Sequence, residues 1–484
     1  MPAEPRPPTP VALPTREDPV AAASSEWLGG PAGSRVAPGG GWWTPVRVAL
    51  AVACLVLALG VIADAPCRST QWADRGDAEL WTGQCYSDVP FLYRERGLSG
   101  DAVAYRDTLL EYPVLTGAVA QVSAWAVRAL GWVADGGADA GPADRQAADL
   151  AGGVRFYDLT ALLMAAAALV AVAATSRTVR RRPWDGLLVA AAPVLLLTST
   201  INWDLLPVAL TAVALLAWSR DRPVLAGAML GLGAAAKLYP ALLLLPVLLV
   251  CWQERPRGPA LRRGAAAAVA AVVSWAVVNL PVAALAPEGW RFFWTFNADR
   301  AAEFGSPWFA LDLVGRGVPA DRLDIAAAGV TAVGLGLVAV LALAAPRPPR
   351  LAQLALLTLA IFVLANKVWS PQYALWLLPL AVLARPRWRD LLVWQAAEAV
   401  HFVVVWLFIA GRLGATERLV TDNGYATVVA LRAAGLLWLV AVVVRDVLRP
   451  EHDPVRPYEC PYEGPYEGWH GDQHEGPPAI RSAS

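Results

Sequence analysis

The sequence predicts an all-α polytopic membrane protein, on three observations. Of its 484 residues 57% are hydrophobic and only 17% charged, where soluble domains carry about a quarter charged side chains. Thirteen apolar runs fill residues 46 to 445. Arginine falls in clusters between those runs, as it does in loops that stay in the cytoplasm. The same composition narrows function. Forty basic against forty acidic residues leave no global basic field, so no nucleic-acid partner is expected. Five cysteines in no metal-ligand spacing, and four histidines of which three lie near the C-terminus, argue against a zinc or haem protein.

Three regions follow. Residues 1–45 are rich in Pro, Ala and Gly without hydrophobic period and read as a disordered cytoplasmic leader, too polar for a signal peptide. Residues 46–445 form the transmembrane domain. Residues 446–484, with Pro-Tyr-Glu repeated at Pro457, Pro461 and Pro465, read as a disordered cytoplasmic tail. The apolar runs are 46–63, 112–133, 157–175, 186–201, 203–218, 224–236, 238–252, 264–285, 325–345, 351–365, 372–384, 390–410 and 425–444. A helix needs about 20 residues to cross a bilayer, so the short runs must be tilted, broken or extended by polar ends.

Basic clusters at Arg177 to Arg182, Arg220 and Arg222, Arg255 to Arg263, Arg347 and Arg350, Arg385 to Arg389, and Arg445 and Arg449 are placed inside. The turns around Asn202, Lys237 and Lys367, and the segments 286–324 and 411–424, are then outside. Parity leaves no crossing for 112–133, whose Gln121, Ser123, Trp125, Arg128 and Trp132 suit a helix in the interface. Residues 64–156 become a large first extracytoplasmic loop carrying this juxtamembrane helix, and about 12 transmembrane helices result. The competing arrangement lets 112–133 cross and makes 224–252 one helix, leaving four arginines outside.

From Asp64 to Glu111 the loop holds nine acids against five arginines. Its Cys67 and Cys85 either pair, as thiols outside a membrane can, or stay unpaired; Cys54 and Cys251 read as lipid-facing or core residues. Asp204 and the chain's two lysines, Lys237 and Lys367, all fall at outer helix ends. Charge at membrane depth is costly and points to function, against the plainer reading of side chains reaching for headgroups.

The outer motifs are Tyr86-Ser87-Asp88-Val89-Pro90 with Tyr93, Tyr105-Arg106-Asp107, Glu111-Tyr112-Pro113-Val114-Leu115-Thr116-Gly117, Asn202-Trp203-Asp204-Leu205, Gly231 to Ala236 leading into Lys237-Leu238-Tyr239-Pro240, and Asn366-Lys367-Val368-Trp369-Ser370-Pro371-Gln372-Tyr373. In this order and on one side they resemble the GT-C superfamily of membrane glycosyltransferases. Within it the chain is most similar to glycosyltransferase family 87, the polyprenyl-phosphate-mannose-dependent mannosyltransferases of actinobacteria. The Ala, Pro and Arg usage agrees with a GC-rich bacterial genome.

The resemblance implies a multi-pass enzyme of the bacterial plasma membrane, active on the extracytoplasmic face. It would move a hexosyl, by resemblance mannosyl, residue with inversion from a polyprenyl-phosphate sugar to a glycolipid or glycan acceptor, within membrane lipid. A phosphate leaves as a stable anion, so one carboxylate acting as base suffices. The resemblance puts that base early in the loop, at Asp88; Asp77, Glu79, Asp107 and Glu111 compete. Lys237 and Arg155 can supply cations for the phosphate. Asp107, Glu111, Tyr112, Asn202, Asp204, Tyr239, Lys367, Gln372 and Tyr373 complete the expected substrate contacts. Tyr112, Trp203, Tyr239, Trp369 and Tyr373 read as an aromatic rim or as interface anchors. With no Asp-x-Asp pair at the rim, neither metal nor cofactor is invoked. A secondary transporter or lipid flippase is the alternative, against which stand the lack of an internal repeat and the gathering of charge at one face. A non-catalytic scaffold predicts no convergent polar cluster.

Overall fold

The computed structural model describes residues 18–27, 42–132 and 141–456. The Pro-Tyr-Glu repeat and most of the expected leader and tail lie outside them. Among the described residues every regular element is a helix, and extended pairing is confined to an isolated bridge between Ala104 and Thr108. Six helices are long and apolar enough to cross a membrane: Pro45–Ala63, Pro142–Thr178, Arg257–Leu285, Ala320–Ala344, Trp388–Leu413 and Asp422–Leu448. Shorter apolar helices run Leu205–Trp218, Pro223–Ala236, Tyr239–Gln253, Leu351–Ala365 and Tyr373–Ala384.

Proline sets many of the boundaries. Pro45, Pro142, Pro193, Pro223, Pro287 and Pro307 each open a helix, where the missing N–H costs nothing and the fixed φ is already helical. The run 186–201 is therefore two short helices, Gly186–Ala190 and Pro193–Thr198, with Ala192 extended before the proline. The turn after Thr198 carries Asn202, Trp203 and Asp204. A second break separates Pro223–Ala236 from Tyr239–Leu242, so 224–252 is not one helix. Pro240 would collide with the carbonyl of Ala236 in a continuous helix, and Lys237 turns extended at φ −160° and ψ 140°.

The run 112–133 forms Val114–Ala129, 16 residues, about 24 Å at the helical rise and shorter than a bilayer core. Ala120, Ala124 and Val127 are buried, while Val122, Trp125 and Trp132 are exposed. Pro142–Thr178 starts well before its apolar part, so the last portion of the expected outer loop is helical. Earlier in that loop, Cys67 and Cys85 form a disulfide beside a small core of Trp72, Leu80, Trp81, Phe91 and Tyr93.

At the arginine-rich ends buried ion pairs dominate. Arg385 pairs with both Asp390 and Asp446, and all three side chains are fully buried. Arg350 donates to Asp453 at 2.8 Å and to the Leu383 carbonyl at 2.8 Å, so the first residues of the expected tail are docked, with Val455 buried. Within the expected leader, Pro19–Trp27 is helical, and Asp18 accepts the Trp388 N–H at 2.9 Å.

Candidate active site

Asp88 opens the short helix Asp88–Glu95. Ser87 caps it: its hydroxyl accepts the Val89 N–H at 3.3 Å and donates to the Thr200 carbonyl at 2.8 Å. The Asp88 N–H donates to the Ile201 carbonyl at 2.8 Å. Two of these bonds dock the Ser-Asp-Val-Pro motif onto the turn that carries Asn202 and Asp204.

Two tyrosines hold the Asp88 carboxylate. Tyr86 donates to Oδ1 at 2.8 Å and Tyr112 to Oδ2 at 3.0 Å. The Asn202 amide donates to the Tyr112 hydroxyl at 3.3 Å, and the Asn202 oxygen accepts the Asp204 N–H at 2.9 Å. Tyr112 is placed by its own main chain, because the Tyr105 hydroxyl donates to the Tyr112 and Pro113 carbonyls, each at 2.9 Å. Gly117 is needed there: a Cβ would sit 2.0 Å from the Tyr105 hydroxyl.

Asp204, 1% exposed, pairs with Lys237 at 3.0 Å and accepts the Trp376 indole N–H at 3.0 Å. The break after Ala236 aims the Lys237 ammonium into a group of rings. It lies 4.8 Å from the Tyr112 centroid, 5.8 Å from that of Trp376 and 6.0 Å from that of Tyr373, within cation–π range. Tyr239 and Tyr373 both stack on Trp376, at 4.7 and 3.6 Å. Gln372 is buried beside Tyr373, and its side-chain oxygen has no hydrogen-bond partner among the described residues; nor has the Trp203 indole N–H.

Asp88 keeps some exposure, yet the protein around it is dense. Burial pushes its carboxyl above the ordinary range, and the bonds from Tyr86 and Tyr112 with the charges of Lys237 and Arg75 pull it back. Burial also pushes the Tyr86 and Tyr112 hydroxyls upward, so both stay protonated donors near neutrality.

The structure therefore joins Asp88, Tyr112, Asn202, Asp204, Lys237, Tyr239 and Tyr373 in one network, with Gln372 at its margin. Four other expected contacts are ion-paired outside it. Arg155 lies 3.8 Å from Asp158, with more than half its side chain exposed. Asp107 pairs with the neighbouring Arg106 at the surface, and Glu111 with Arg96 at 2.9 Å. Lys367 donates to Asp324 at 2.6 Å and to the Ala298 carbonyl at 2.7 Å, tying down the segment 286–324.

Several members went unassigned from sequence. Trp376 could have been found, since it lies one helical turn after Tyr373. Arg75 donates to the Tyr86 hydroxyl at 2.9 Å, and no periodicity signals that contact. Arg300 lies close enough to Tyr373 and Tyr112 for its charge to act on both. Arg432, fully buried, pairs with Glu398 at 2.7 Å and donates to the Trp369 and Ser370 carbonyls at 2.7 and 3.1 Å, anchoring the loop that leads to Gln372.

Residues 149–366 match the family described as Glycosyltransferase family 87. That stretch contains Arg155, Asn202, Asp204, Lys237 and Tyr239; Asp88, Tyr112, Gln372 and Tyr373 lie outside it. No curated protein matches the chain.

Proposed function

Because the chain belongs to glycosyltransferase family 87, a GT-C-type family of membrane glycosyltransferases, we propose that it transfers a hexosyl residue, mannose foremost, from a polyprenyl-phosphate sugar to an extracytoplasmic acceptor with inversion. The observation that carries this reading is the Asp88 carboxylate, held through both oxygens and joined by Tyr112 to the Lys237 ammonium.

Asp88 removes the proton of the acceptor hydroxyl as that oxygen attacks the anomeric carbon. The bond from that carbon to the phosphate oxygen breaks, and its electron pair leaves with the phosphate. No acid is needed, because the phosphate is stable as an anion. Lys237 has three N–H donors, of which one serves Asp204; the others are available to the phosphate. Asp204 thus orients the cation, and the rings of Tyr112, Tyr373 and Trp376 exclude water around it. The buried oxygen of Gln372, without a partner among the described residues, suits a sugar hydroxyl.

The outer face is supported by the Cys67–Cys85 disulfide in the loop that carries Asp88, since such bonds persist in oxidising compartments, and by the arginine distribution. The test is a donor panel. Purified protein in nanodiscs is given polyprenyl-phosphate mannose, glucose or arabinose with host membrane extract, and the product linkage is read by NMR. The expected result is mannose transfer with inverted anomeric configuration; retention of configuration, or no transfer from any lipid-phosphate donor, overturns the reading.

A further inference from the structure

We infer that Arg75 and Tyr86 form a positioning arm that fixes the direction in which the Asp88 carboxylate faces its substrate; this rests on the reading of Asp88 as the base. Each oxygen of Asp88 accepts one tyrosine hydroxyl, so rotation of the carboxylate is constrained from two sides. A carboxylate has about four lone-pair sites, and the two left over define where an acceptor hydroxyl can bind.

What makes Tyr86 a directed donor is Arg75. The guanidinium uses Nε and Nη2 on Glu95, at 3.0 and 3.1 Å, and turns Nη1 onto the Tyr86 oxygen at 2.9 Å. With that oxygen already accepting, the single hydroxyl proton is directed to Asp88. Tyr112 is directed in the same way by the Asn202 amide. The Tyr86 ring is itself fixed, 5.3 Å from Trp81, 5.1 Å from Trp406 and 6.0 Å from Phe91. The Arg75 guanidinium lies 4.2 Å from the centroid of Phe91. Glu95 offsets the arginine charge, so the arm delivers a directed hydrogen bond without a bare cation beside the anomeric carbon, where positive charge develops.

The groups facing Asp88 come from four places: Arg75 and Tyr86 from the chain before it, Tyr112 from the segment entering Val114–Ala129, Lys237 from the break after Ala236, and Tyr373 from the head of Tyr373–Ala384. Bonds from Tyr86 and Tyr112 and the charges of Lys237 and Arg75 favour the ionised carboxylate against its burial. Taking away Tyr86 therefore makes Asp88 a base that protonates at higher pH.

Tyr86→Phe keeps the ring and its stacking while removing the hydroxyl. In the full chain in nanodiscs, with polyprenyl-phosphate mannose and host membrane extract, turnover is expected to fall about tenfold or more, as for a hydrogen bond to a charged group. KM changes little, and the acidic limb of the turnover profile moves to higher pH. Carbon-13 NMR titration of the Asp88 carboxyl shows the same upward move without any substrate. Because Arg75 acts through Tyr86, adding Arg75→Gln to Tyr86→Phe lowers turnover no further. An unmoved Asp88 titration, or losses from the two substitutions that multiply, overturns the arm. Asp88→Asn in the same assay separates the two ideas. If it abolishes transfer while Tyr86→Phe leaves the limb in place, the arm alone falls; if it transfers normally, the base falls and the arm with it.

Discussion

Tyr112 donates its hydroxyl proton to Asp88 across 3.0 Å, and the same ring lies 4.8 Å from the Lys237 ammonium. One side chain thus ties the carboxylate to the cation, which explains why the approach to Val114–Ala129 is so rigidly placed by Tyr105 and Gly117. Tyr112→Phe keeps the ring against Lys237 and loses the bond to Asp88. Turnover should drop about tenfold or more with donor affinity retained, whereas Tyr112→Leu should weaken both; single-turnover rates and donor titration distinguish them.

Lys237 and Asp204 should behave as a unit. Lys237→Ala strands a carboxylate that is 1% exposed, a change that costs about 3–5 kcal/mol. The double variant Lys237→Gln with Asp204→Asn removes both charges and should recover most of the thermal stability without recovering donor use. Thermal unfolding and donor binding, measured on the same samples, check the two halves separately. Recovery of donor binding in the double variant would remove Lys237 from phosphate recognition.

The Cys67–Cys85 bond closes a loop of sequence separation 18 that contains Arg75, so it supports both the fold and the base. Replacing both cysteines by serine should lower stability by about 3 kcal/mol and reduce turnover as well. Treating the oxidised protein with a phosphine reductant should reproduce the turnover loss in the wild type and leave the serine variant unchanged.

Asp64 carries a pH signature of its own. Burial pushes its carboxyl from 3.8 up to about 6, against hydrogen bonds from Tyr157 and Thr200 and the charge of Arg68. The folded protein therefore binds this proton more tightly than the unfolded chain does. Stability contributed here is present at low pH and is lost as pH rises from about 4 to about 6, by about 3 kcal/mol in total. Asp64→Asn should flatten that part of the stability profile and raise the melting temperature above pH 6, as scanning fluorimetry across pH 4 to 7 would register.

Much of this was legible in the sequence because it is carried by period and punctuation. Long apolar runs gave the helices, and the arginine clusters between them grouped the turns around Asn202, Lys237 and Lys367 on one side, whereas the break at Pro193 inside the run 186–201 was not foreseen. The motif order pointed to Asp88, Tyr112 and Tyr373. Side-chain pairings across coil were not legible, since Arg75 reaches Tyr86 and Glu95 through folded geometry that leaves no pattern along the chain. The two lysines show the same limit from another side: both follow helix C-termini, yet Lys237 faces Asp204 and the aromatic rings while Lys367 turns to Asp324. Buried arginine pairs such as Arg432 with Glu398 likewise depend on which helices become neighbours.

Transfer of labelled mannose from polyprenyl-phosphate mannose to host membrane acceptors, compared between the purified wild type and Asp88→Asn, decides whether Asp88 is the base. Asp77→Asn, Asp107→Asn and Glu111→Gln serve as internal controls, the first a helix cap and the other two ion-paired acids of the same loop. Labelled product is expected from the wild type, with a loss of about 10²–10⁴-fold in Asp88→Asn while donor binding stays intact, and far smaller losses in the three controls. Transfer by Asp88→Asn at the wild-type rate, or a larger loss in any control, would contradict Asp88 as the base.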